Sequence, residues 1–163
     1  MNTTADETTD AADTADPAAP SVTYWHLWTD KAGVTHQKQC GLKNLAMRQF
    51  APPSPAMWVE SLGVSPSAIT FLVLPPGFDG GWHRNPKPQW IIPMSGRWFV
   101  EAMDGTRVEM GPGELSFGED QAAKRDTEGR EGHRSGTIGA EPAVLMLVQV
   151  SDPPKVGEPC RFE

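Results

Sequence analysis

From Ser67 to Val150 the chain is a succession of short apolar runs, each closed by a turn rich in glycine or proline, and this spacing admits strands but no long helix. Residues 69–74 and 89–94 read as strands. Residues 97–102 and 106–110 flank Met103-Asp104-Gly105, and Asp-Gly between two strand-like runs is a strong hairpin signal. Gly111-Pro112-Gly113 turns the chain into a strand over 114–117. The polar, charged and glycine-containing stretch 119–132 reads as a long loop. Residues 134–138 and 143–150 close the series, separated by Gly139-Ala140-Glu141-Pro142. The pattern predicts an all-β sandwich or barrel.

The chain before this region divides into three parts. Residues 1–20 contain Ala, Thr and Asp but no aromatic, Val, Ile or Leu, and their five acids have no basic neighbour. Such a segment buries too little surface to offset its ordering entropy, so it reads as a disordered acidic tail. Residues 22–28 and 34–39 flank Thr29-Asp30-Lys31-Ala32-Gly33 and read as a hairpin. In that register His26 faces His36 on a solvated strand face, a pair with too few partners for a metal site. Residues 42–50 read as a short helix or an irregular turn. The prolines at 52, 53 and 55 then require an extended arm over 51–58, fit to cover a sheet edge or a second copy. Residues 21–163 thus read as one domain: hairpin and arm over 21–66, a core over 67–150, and a tail over 151–163 that wraps the outside.

Charge narrows the partners. The 163 residues carry a net −7, and the acidic tail leaves the rest near −2 of that total. Without clustered Lys and Arg, neither nucleic acid nor an anionic membrane is an expected partner. No apolar run is long enough for a span, and the first residues lack a secretory pattern. Cys40 and Cys160 therefore read as two reduced thiols in a cytoplasmic protein, a bridge between them being the alternative.

The chemistry concentrates between two apolar strands, in the stretch from Gly77 to Gln89. Its glycines and prolines bend the backbone and bring His83, Asn85 and Gln89 close together. Gly77, His83, Asn85, Gln89 and Gly96, with five, one, three and six residues between them, resemble the first signature of the cupin superfamily. That signature has His where Asn85 stands and Glu where Gln89 stands. The segment 113–133 resembles the second signature, with a longer loop, Glu119 at the usual proline and Thr137 at the usual asparagine. The likeness covers residues 68–150.

The resemblance implies a double-stranded β-helix, a jelly-roll barrel with a pocket at one mouth. It also implies a metal set of His83, Asn85, Gln89 and His133 for one divalent Fe, Mn or Zn ion. Asn and Gln offer neutral carbonyls where the family has an imidazole and a carboxylate, so a metal-free pocket is the equal alternative. Glu119 or Asp120 restores a carboxylate if the loop folds over the mouth. Strand alternation turns Gln89 into the pocket and Trp90 away from it, and Trp82 adjoins His83 at the rim as a ligand contact.

The expected function is a small-molecule enzyme with lyase, isomerase or dioxygenase chemistry. Its catalytic candidates are His83, His133, Glu119 and Asp120; its substrate-binding candidates are Trp82, Asn85 and Gln89. The loop 119–132 would serve as a lid, and a homodimer is expected by likeness to the family. The competing reading is a non-catalytic module that binds a small apolar ligand. A third is an interaction protein that uses the proline-rich arm.

Overall fold

The computed structural model describes residues 20–53 and 55–163; the acidic tail read from residues 1–20 lies, apart from Pro20, outside the described residues. Among the described residues twelve strands follow in chain order: β1 Val22–Thr29, β2 Thr35–Leu42, β3 Ala46–Arg48, β4 Met57–Val59, β5 Pro66–Leu74, β6 Asp79–His83, β7 Gln89–Ser95, β8 Arg97–Ala102, β9 Arg107–Met110, β10 Leu115–Glu119, β11 His133–Ile138 and β12 Ala143–Val150. The all-β expectation holds.

The strands form two principal sheets, one ordered β2-β1-β10-β7-β12-β5 and the other β6-β11-β8-β9, with β3 and β4 as a separate pair. Among the described strands β1 and β10 pair in parallel and the other strand pairings are antiparallel, while an isolated parallel bridge joins Thr29 to Val156. The two sheets stay separate, so they make an open sandwich and not one closed barrel.

Alternation along the strands builds two apolar clusters. Between the sheets, Leu27, Ile91, Leu145 and Leu147 of the larger sheet meet Trp98, Val100, Val108 and Met110 of the smaller one. On the outer face of the larger sheet, Tyr24, Phe117 and Val150 pack with Cys40 and Cys160, and Trp90 and Phe162 lie against them. The C-terminal tail therefore wraps the outside, as expected, but it also contributes buried side chains there.

Several expectations need correction. Trp28, not His26, faces His36, because Asp30 accepts hydrogen bonds from the Ala32 and Val34 amides and draws Val34 into the turn. His26 is fully buried and not on a solvated face. No helix forms over 42–50, where β3 runs instead, and Asp79–His83, read as a glycine-rich bend, is a strand. Cys40 and Cys160 are bonded, their Cα atoms 5.3 Å apart. This corrects the reading of two reduced thiols, since such bridges persist in oxidising surroundings. No helix among the described residues is long and apolar enough to cross a membrane.

Candidate functional site

The site begins with the pairing of β6 and β11, which sets His83 directly opposite His133. Their rings lie 4.4 Å apart between centroids and are tilted by 52°. Gly132, at φ 84°, makes this approach possible: a Cβ there would collide with the carbonyl of His83. His83 Nδ1 donates to the carbonyl of Gly81 at 2.9 Å. His133 Nδ1 donates to Asp120 Oδ2 at 2.7 Å. Since each Nδ1 faces an acceptor, both rings keep Nε2 as an unprotonated lone pair while neutral.

Asp120 is the centre of a buried polar chain. Its Oδ1 accepts from the Asn85 amide at 2.9 Å and from Asn85 Nδ2 at 2.8 Å. Asn85 Oδ1 accepts from Gln89 Nε2 at 2.7 Å, and Gln89 Oε1 accepts from Gln149 Nε2 at 3.1 Å. Gly118 lets Asn85 into this position, because any Cβ there would overlap Asn85 Nδ2. Every acceptor in the series is satisfied, as burial demands.

Electrostatics follow from this wiring. Burial pushes the Asp120 carboxyl up, but the His133 ring and the Asn85 donors outweigh it and hold the group below the ordinary carboxylate range. The His83 imidazole is held below its ordinary value by desolvation first and by the neighbouring His133 second. Two rings so close resist carrying two charges at once.

His83, Asn85, Gln89 and His133 line one end of a cavity of about 210 Å³, together with Ser135. The remaining wall is apolar: Leu72, Leu74, Phe78, Ile91, Trp98, Leu145 and Leu147. Among the described residues no Lys or Arg lines it.

Of the residues singled out from the sequence, the fold thus brings together His83, His133, Asp120, Asn85 and Gln89. Glu119 is not among them. It is the neighbour of Asp120 in the chain and so points to the opposite face, where it meets His26 Nε2 at 2.8 Å and Arg161 at 2.7 Å. Trp82 precedes His83 on β6 and likewise faces away, beneath the Arg130 guanidinium. Ser135 and Gln149 were not singled out. Ser135 was within reach, since it lies two residues beyond His133 on the same strand face; Gln149 left no sequence signal.

The donor set is a poor fit for a divalent transition ion. The two Nε2 atoms suit one, but the nearest carboxylate lies behind His133, and both amide oxygens already accept hydrogen bonds. Among the described residues no three His, Cys, Asp or Glu side chains converge on one point. In comparisons with known proteins, no family model and no curated sequence matches the chain.

Proposed function

We propose that this chain is a small-molecule enzyme of cupin type that moves a proton on a neutral, largely apolar substrate without a bound metal. The reading is carried by the two imidazole Nε2 lone pairs at the end of an apolar cavity, one ring being fixed by a buried carboxylate. Asp120 orients His133 as a carboxylate orients the base of a catalytic dyad. Repulsion between the rings opposes a second proton on the pair; when the pair carries one proton, one ring serves as base and the other as acid. A proton next to a carbonyl is drawn to one Nε2 and returned from the other, which is isomerase chemistry; loss of a leaving group in between makes the same pair a lyase.

The walls limit the substrate. At about 210 Å³ the cavity exceeds the ~150 Å³ space that takes up benzene and falls below the ~300 Å³ at which drug-sized pockets begin. A molecule of one substituted ring, or an aliphatic of that bulk, fits. With no cationic side chain at the wall, a carbonyl or hydroxyl suits it better than a carboxylate or phosphate.

The test is proton exchange from deuterated water into small cyclic and aryl ketones, followed by NMR with the wild type, His83→Gln and His133→Gln. Catalysed exchange should fall by ~10²–10⁴ in each variant. Exchange equal in all three would overturn the proposal, and so would stoichiometric Fe, Mn or Zn in the purified protein overturn its metal-free part. The rival reading, a non-catalytic carrier of small apolar ligands, is favoured by the predominance of aliphatic wall. It predicts ketone binding in all three proteins with no exchange in any.

A further inference from the structure

We propose that the hydroxyl of Ser135 holds the oxygen of a carbonyl substrate and stabilises the charge that gathers there when the adjacent C–H proton leaves. This role rests on the proton-transfer reading above, for which a base alone is not enough. Removing a proton beside a carbonyl leaves an enolate. In an apolar cavity that oxygen needs a donor aimed at it, and among the described residues no Lys or Arg lines the wall. The other polar groups at this end are already engaged: the Asn85 and Gln89 oxygens each accept from a neighbouring amide, and both histidine Nδ1 atoms are taken.

Ser135 is placed for the task. It stands two residues after His133 on β11, so the two side chains leave the same face of the strand, and both line the cavity. Val100, directly opposite on β8, is apolar and offers a hydroxyl nothing. Ser135 is only 7% exposed, yet its hydroxyl makes no hydrogen bond to another described residue. A group so enclosed ordinarily has a partner; here its open side is the cavity. The base is close by. A Cβ on Gly80 would come within 3.3 Å of His83 Cε1 and 3.4 Å of the Ser135 carbonyl, so the imidazole edge beside Nε2 and the Ser135 backbone flank one glycine with no side chain between them. A carbonyl compound spans such a gap. Its α-carbon can sit ~3–3.5 Å from a ring Nε2, while its oxygen, two bonds away, accepts from the hydroxyl at ~2.7–2.8 Å. The C–H electrons then pass into the C–C bond, those of the C=O bond move to oxygen, and the proton goes to Nε2. Ser135 keeps its own proton throughout.

The test compares Ser135→Ala and Ser135→Thr with the wild type, each full chain checked for native circular dichroism. Exchange from deuterated water into the methyl group of acetophenone reads the chemistry. Binding of acetophenone against α-methylstyrene, which carries a methylene group in place of the oxygen, reads the contact. Ser135→Ala should lower exchange by ~10²–10³ and weaken acetophenone binding by ~3–10-fold, with α-methylstyrene binding unchanged. Ser135→Thr retains the hydroxyl and should recover most of both losses. Exchange at the wild-type rate in Ser135→Ala overturns the proposal, and so does equal weakening of the two ligands or no recovery in Ser135→Thr. If no protein catalyses exchange, the wild type included, the acid–base reading fails, and the ligand contrast decides Ser135 by itself. Selective loss of acetophenone in Ser135→Ala then supports the contact; an unchanged affinity, or a wild type that does not bind acetophenone, refutes it.

Discussion

At the scale of single residues, the site depends on one carboxylate with three hydrogen-bond donors around it. Asp120→Ala leaves the Asn85 donors and His133 without their acceptor inside the protein. Removing one member of a buried charged network costs about 3–5 kcal/mol, and a urea unfolding midpoint lowered in proportion is the expected result. The sign with pH follows from the direction of the shift. The folded carboxyl titrates below its unfolded value, so its contribution is complete above the ordinary carboxylate range and is lost as pH falls through the folded value. His83 also titrates below its ordinary value. An NMR titration should therefore find its ring neutral to lower pH than a free histidine, and His133→Gln should move that titration upward by removing the repelling neighbour.

At the scale of elements, much was readable and the rest fails for physical reasons. The hairpin at Asp104-Gly105 and the strands on either side of it were plain from alternation and turn chemistry. The strand at Asp79–His83 was hidden because Gly80 and Gly81 look like a bend, and only pairing with β11 makes them strand. The register of the first hairpin was misread by two residues because the turn is set by the side chain of Asp30, which no periodicity reveals. His36, reassigned by that shift, bonds Asp30 at 3.0 Å and Asp104 at 2.8 Å and so ties two turns together. Burial lowers its pKa, but the two carboxylates prevail and raise it. Its contribution is thus complete below the ordinary histidine value and is lost as pH rises through the raised one. At 29% side-chain exposure the pair is worth no more than ~1 kcal/mol. Stability measured between pH 6 and 8 should fall less in His36→Gln than in the wild type.

At the scale of the whole molecule, the Cys40–Cys160 bridge closes a span of 120 residues. A loop of that length constrains the unfolded chain by up to ~5 kcal/mol in the entropic account, and native bridges typically contribute about 2–5 kcal/mol. Thermal unfolding with and without a thiol reductant should show a lowered midpoint when the bond is open. The sequence could not pair these cysteines, since their meeting depends on the path of the tail around the sheet. It could bring His83 and His133 together only by likeness to a motif, and it could not separate Glu119 from Asp120, because the two differ only in which side of β10 they leave.

That parting of adjacent carboxylates couples distant regions. Glu119 clasps Arg161 and the Lys155 amide of the tail, while Asp120 steadies the imidazole at the cavity, so a single peptide unit acts as the axle between them. Trimming the last four residues should therefore blunt proton exchange at a site none of them touches.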